Sequence, residues 1–277
     1  MHILDSQVHV WGDDSPARPW PPGRASQAHR VPAMGADEMI AAMDRAGVAR
    51  AIIVPPSWEG DRNDVAVAAA AKYPDRFRVM GRFPVETPAE AHRLRSWREQ
   101  TGMVGVRLTL HRGPWLDAFD AGAVDWFWGA AERARLPVMV YAPGRVRALG
   151  GVAERHRGLR LIVDHLAIPV EARGNAAFAG LEDILALAAH PNIAVKVSAL
   201  PCHSRERYPF VDLHEPVRRV YDAFGPSRML FGSDYSRLPC SYEDAIRLFT
   251  EALEFLTPSD RAQIMGDAAT RWLELPS

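Results

Sequence analysis

The sequence predicts an α/β protein folded as a (β/α)8 barrel, and three observations carry that prediction. Eight short apolar or β-branched runs alternate strictly with longer stretches of helical periodicity. The alternation runs through a chain of 277 residues, close to the size at which eight such units close into one barrel. The first β-to-α turn lacks the glycine-rich signature that usually opens a doubly wound sheet.

Taken in order, the strands are expected at 3–10, 50–55, 78–83, 104–108, 137–141, 159–165, 193–198 and 229–233. The helices between and after them are expected near 36–46, 64–72, 89–100, 123–135, 146–155, 177–189, 213–224 and 242–256, with a last one near 259–273. Local chemistry agrees with this order. Gly47 stands where a helix stops, because glycine tolerates the left-handed conformation found there. Ser241 with Asp244 reads as the N-terminal cap of the eighth helix. Pro74, Pro137 and Pro191 fall between helices and strands, where a missing N–H costs little. No repeat, low-complexity tract or linker divides the chain, so 1–277 is expected to be one domain. The segment 12–32, rich in Pro, Arg and Ala, is too long for a plain βα turn, and long loops at a barrel mouth commonly serve the site.

Composition narrows the class of partner. Hydrophobic residues make up 48% and charged residues 24%, and the formal net charge is -1. With no basic patch, nucleic acid and anionic membranes are not expected partners; a small molecule is. No run of 18 apolar residues exists, and the first five residues lack the pattern of a secretory leader. Cys202 and Cys240 make no disulfide framework, so a reduced cytoplasmic protein is expected. Only Lys72 and Lys196 among the 33 basic residues are lysine, so any anion site should be built from guanidinium groups. The sequence is as compatible with a homo-oligomer as with a monomer.

In a barrel the chemistry sits at the C-terminal ends of the strands. The polar residues falling there are Gln7 and His9 on the first strand, Arg107 and Thr109 on the fourth and Tyr141 on the fifth. Asp164 and His165 follow on the sixth, Ser198 on the seventh and Asp234 just after the eighth. Strict alternation would put Asp5, Gln7 and His9 on one interior face, with Asp5 deepest. His9, His165 and Asp234 make either a zinc set or an acid–base set without metal. Arg107 and Arg237 are expected to clamp an anionic group of the substrate, with Tyr141 donating a hydrogen bond to it and Gln7 beside it. Lys196 is expected to pair with Asp5 low in the barrel. Arg205, Arg207 and Tyr208 are read as loop structure ahead of second anion contacts, and the cysteines as ordinary thiols. His111 and His203 belong to the rim. Trp11, Trp20, Trp58 and Trp115 either wall the pocket or pack the loops.

Several motifs resemble those of one family. Asp5-Ser6-Gln7-Val8-His9 resembles the Asp-X-His-X-His first strand of the amidohydrolase superfamily. Val163-Asp164-His165-Leu166 resembles its strand-six histidine, and Phe231-Gly232-Ser233-Asp234 its strand-eight Gly-Ser-Asp. Asn192 to Ser198 looks like the seventh strand, and Pro74-Asp75-Arg76-Phe77 like the lead into the third. The branch most resembled is that of the lactonases, which includes 2-pyrone-4,6-dicarboxylate lactonase and 4-sulfomuconolactone hydrolase. The resemblance implies a hydrolase that opens a small carboxylate- or sulfonate-bearing lactone, with aromatic-compound breakdown as its wider setting. Asp234 would be the base that activates water, and His165 and His9 would polarise the carbonyl. Gln7 departs from the pattern: it stands where the family has its first histidine, and an amide oxygen is a poor transition-metal ligand. A high-affinity binuclear site is therefore not expected. A single divalent ion such as zinc on His9, His165 and Asp234, and no metal at all, both stay open. Two rival readings are a decarboxylase or hydratase of the same superfamily, and a non-catalytic barrel that binds a small acid.

Overall fold

Each of the eight apolar runs forms a strand of one parallel sheet in the computed structural model, which describes residues 1–111 and 113–276. The strands are β1 (Ile3–Val8), β2 (Val48–Ile53), β3 (Phe77–Arg82), β4 (Met103–Thr109), β5 (Val138–Tyr141), β6 (Leu161–Val163), β7 (Ile193–Ser198) and β8 (Met229–Gly232). Their order in the sheet follows the chain, β1 to β8. The seam between β8 and β1 is drawn shut by two bonds: Asp234 N–H donates to Gln7 O at 2.9 Å and Ser6 Oγ donates to Phe231 O at 2.6 Å. Gly232 lies at this seam. A side chain there would place Cβ 2.9 Å from the Cβ atoms of both Gln7 and Ser198, so only glycine lets β1, β7 and β8 approach so closely.

The helices follow the expected periodicity, with two kinds of departure. α1 (Ala36–Ala46), α2 (Asp64–Lys72), α4 (Asp125–Arg133), α5 (Val146–Arg155) and α7 (His214–Phe224) lie where the apolar pattern places them, and Gly47 caps α1 at φ 70°. An additional helix, α3 (Gly113–Asp120), precedes α4. The stretch Pro88–Glu99 winds as a 3-10 helix rather than an α-helix. Its buried residues, Leu94 and Trp97, are three apart, the spacing that stacks on one side of a three-residue turn. The stretch expected at 177–189 breaks into the 3-10 turn Gly174–Phe178, α6 (Leu181–Ala186) and the 3-10 turn Leu187–Ala189. The last two helical regions each contain a π-helical turn. One comprises α8 (Tyr242–Arg247) and Leu248–Ala252; the other comprises α9 (Pro258–Ala262), Gln263–Asp267 and α10 (Ala268–Trp272).

Two apolar layers result. The outer one packs the strands against the helices. The inner one takes Leu4, Ile52, Met80, Met139, Ile162, Ala194 and Leu230, all from strands, together with Ala268, Ala269 and Leu273. The C-terminal helix thus plugs one end of the barrel. Among the described residues no helix is long and apolar enough to cross a membrane.

Strand β1 does not keep strict alternation. Its pairing with β2 shifts register between Asp5 and Val8, so Leu4 belongs to the inner layer while Asp5 turns to the seam. There its carboxylate accepts hydrogen bonds from Gln7 N–H (2.8 Å), Ser233 N–H (3.0 Å) and the hydroxyl of Tyr242 on α8 (2.6 Å). The expected Asp5–Lys196 pair is therefore absent. Lys196 donates to Gln7 Oε1 and lies 3.3 Å from Asp164. A bulge of this kind is invisible to a period-two pattern.

Candidate active site

Three strand ends share an unusual backbone. His165 (φ 53°) follows β6, Ala199 (φ 57°) follows β7 and Asp234 (φ 56°) follows β8, all in the left-handed region. For non-glycine residues this costs about 1–2 kcal/mol each. Strain of that kind survives where the surroundings fix it, and it is concentrated at functional sites. Here it turns His165 and Asp234 into a cavity of about 380 Å³ at the barrel mouth, lined also by Gln7, His9, His29, Trp58, Arg82, Arg107, Thr109, His111, Tyr141, Glu171 and Arg237. All seven residues expected from sequence to bind or react line this one cavity.

The floor is a fully buried charge network. Asp164 receives Arg107 and Lys196, and both cations also reach Gln7 Oε1, Arg107 at 3.5 Å. Two donors on the oxygen side fix the amide, so Gln7 Nε2 points to His9 Nε2, 3.2 Å away. The other His9 nitrogen, Nδ1, donates to Val54 O at 2.5 Å. His9 is thereby oriented with Nε2 facing inward. Burial pushes the Lys196 amine down to about 8, and the Asp164 carboxylate counters it.

His9 Nε2 lies 3.1 Å from Asp234 Oδ1, which is buried and accepts no hydrogen bond. The other carboxylate oxygen, Oδ2, is held by Arg237 at 3.1 Å. Burial acts to raise the Asp234 carboxyl, but contact with His9 and Arg237 more than offsets it and holds the group well below the usual carboxylate range. His165 is neutral, because burial pushes its imidazole well below its ordinary value. Its Nδ1 meets Ser198 Oγ at 2.8 Å, which leaves Nε2 for the cavity.

His29 was not anticipated from sequence. It arrives on the long 12–32 segment, bonded through Nδ1 to Ser236 Oγ at 2.7 Å and packed against Trp58 with ring centroids 4.5 Å apart. Burial lowers its imidazole to about 3, so it is a neutral donor. The segment is pinned by the buried Glu59, which takes Gly12 N–H at 3.1 Å and Arg18 at 2.8 Å. Among the described residues, His9, His29 and Asp234 each offer a ligand atom within 4.8 Å of the others. His165 stands outside that group, its Nδ1 bonded to Ser198. Two imidazoles and a carboxylate with an orphaned buried oxygen fit a single divalent cation.

Other expectations meet mixed outcomes. The Tyr141 hydroxyl donates to Ile168 O at 2.7 Å, so its proton is not offered to a bound anion, and its ring instead meets His165 and His111 edge-on or tilted. Trp58 walls the cavity, whereas Trp20 ties the loop by donating to Gly12 O. Tyr208 bonds Glu251 and lies under Arg247, outside the cavity. His203 is buried and bonded to Ala172 O. Both cysteines are free; burial raises Cys202 to about 12 and Cys240 to about 11, so neither is a ready nucleophile.

Comparison with known proteins agrees with the fold. A family model described as Amidohydrolase matches residues 4–275. The chain is 26% identical over 289 residues to an L-fucono-1,5-lactonase of Burkholderia ambifaria, covering 98% of this chain and 95% of that one. It superimposes with a TM-score of 0.82 on a crystal structure of an amidohydrolase from Burkholderia multivorans with bound zinc, at 24% identity and full coverage of both chains. The TM-score is 0.78 against a probable 2-pyrone-4,6-dicarboxylic acid hydrolase from Acinetobacter baumannii with citric acid bound, at 20% identity, covering 99% of this chain and all of that one.

Proposed function

The chain belongs to the amidohydrolase family, and on that premise we propose that this lactone-hydrolysing enzyme opens small lactones bearing an anionic group, with Asp234 as the base that activates water. One observation carries the proposal: a buried carboxylate oxygen, Asp234 Oδ1, without a hydrogen bond, at the mouth of a barrel beside two imidazoles. The relative from Burkholderia ambifaria supports lactone opening as the reaction.

In this reading a water between Asp234 and the substrate gives its proton to Oδ1 as its oxygen adds to the lactone carbonyl carbon. His165, with Ser198 donating to Nδ1, keeps its proton on Nε2 and donates it as a hydrogen bond to the carbonyl oxygen as charge gathers there. When the ring C–O bond breaks, the leaving alkoxide takes the proton back from Asp234, and a hydroxy acid departs. Arg237 holds Asp234 Oδ2, so the reacting oxygen is always the same one. A carboxylate stabilised this strongly is a weak base. A divalent cation such as zinc, held by His9, His29 and Asp234, would supply the acidification of water that so weak a base needs.

The test is a pH-indicator screen of the purified protein against carboxylate-bearing lactones, followed by Asp234→Asn. The variant is expected to lose about 10²–10⁴ in kcat, the range for a positioned base. An undiminished rate in Asp234→Asn would overturn the role, and carbon dioxide release instead of acid would point to the decarboxylase reading.

A further inference from the structure

The two arginines expected to hold an anion are both engaged: Arg107 with Asp164 and Gln7, and Arg237 with Asp234. A third, Arg82 at the end of β3, is only 3% exposed, yet it lines the same cavity. Asp61 receives its Nε at 3.3 Å and Thr109 Oγ1 receives Nη1 at 3.1 Å. Among the described residues Nη2 bonds to nothing. A guanidinium has five donors, so Arg82 keeps capacity for an acceptor that enters the cavity.

Its setting compounds the demand. Arg82 and Arg107 are register partners on adjacent strands, so two like charges stand side by side facing one cavity. Burial, and then the charges of Arg107 and Arg24, weigh against the Arg82 cation, with Asp61 opposing them. Trp115 holds the assembly flat, with Arg82 5.5 Å and Arg24 4.1 Å from its ring centre. Thr109 Oγ1 accepts from Arg82, which leaves the hydroxyl proton free to turn toward a ligand.

We propose that Arg82 and Thr109 form a carboxylate subsite across the barrel mouth from Asp234, and that the lactone carries its acidic group there. In a barrel ordered β1 to β8, the ends of β3 and β4 face those of β7 and β8. A substrate bridging them rests its carboxylate on the Arg82 fork and Thr109 hydroxyl while its carbonyl meets His165 and Asp234. The subsite rests on the lactonase reading for its role but not for its existence.

Two measurements test it. The first compares kcat/KM for 6-oxotetrahydropyran-2-carboxylate and its carboxamide. The wild type should prefer the acid, and Arg82→Met should shrink that preference by about 100-fold through KM, the scale of losing a charge-assisted pair out of water. Thr109→Val, a milder change that keeps the fold if Arg82→Met does not, should shrink it by about 10-fold. Equal losses on both substrates, or no preference in the wild type, overturn the subsite. The second titrates tetrahydropyran-2-carboxylate, which has no bond to break, by calorimetry. If neither lactone is opened but binding of this acid still depends on Arg82 and Thr109, the subsite stands and the lactonase reading fails. Binding indifferent to both residues, or no binding at all, removes the subsite.

Discussion

At the residue scale the site turns on which histidine joins His9 and Asp234. His165 has the better sequence credentials, since it follows a strand directly. Yet Ser198 occupies its Nδ1, and the ligand atoms that converge are those of His9, His29 and Asp234. The expected outcome is uptake of one equivalent of zinc, with His29→Ala weakening it by at least about 10-fold, since even an outer partner of a metal ligand is worth that much. His165→Asn should bind zinc as the wild type does while losing activity. Competition against a fluorescent chelator checks both, and the reverse pattern would assign the third ligand to His165. Gln7 also gains a meaning at this scale. Its amide is oriented by Lys196 and Arg107 and contacts His9, which fits a positioning residue.

At the element scale the helix termini carry measurable stability. The Thr257 hydroxyl receives Asp260 N–H at 3.2 Å, and Asp260 answers with its carboxylate on Thr257 N–H at 3.0 Å, a full capping box at the start of α9. Thr257→Ala should cost about 1 kcal/mol in a denaturant titration at pH 7. The Thr257 hydrogen bond lowers the Asp260 carboxyl below its ordinary value. Its contribution is therefore complete above that ordinary value and fades as pH falls through the lower folded one, so the gap between the two proteins should narrow below about pH 4, leaving the cap bond from Asp260 N–H. How much of this was legible in the sequence differs between elements. Strands β1 to β8 and helices α1, α2 and α5 follow from period and breakers alone, because β-branched runs and amphipathic stripes are local signals. The β1 bulge and the 3-10 winding of Pro88–Glu99 come from tertiary packing, which periodicity does not encode. His9, His165 and Asp234 were legible as strand-end residues. His29 was not, since the path of a 21-residue loop leaves no periodic trace, though its length did mark it as serving the mouth. Arg82 could have been found: it occupies on β3 the place that Arg107 occupies on β4.

At the scale of the whole molecule, the barrel puts its strained and charged parts at one end and its apolar plug at the other. The seam between β8 and β1 joins the two: Asp5 ties Ser233 and Tyr242 on one side of it, while Gln7 and Gly232 meet on the other. The charged floor under the mouth has a further consequence, because the chain holds just two lysines. Lys72 is on the surface, its side chain 56% exposed, and Lys196 is sealed at 0%. An amine-acylating reagent should therefore tag Lys72 and the N-terminal amine of the native enzyme and spare Lys196, as read by peptide mass spectrometry. Lys196 should become reactive only along the denaturant curve that unfolds the barrel. Equal tagging of both lysines under native conditions would show the floor to be open to solvent. The protein thus carries a built-in footprinting probe at its centre, one amine whose chemical silence reports that the ring of strands is closed.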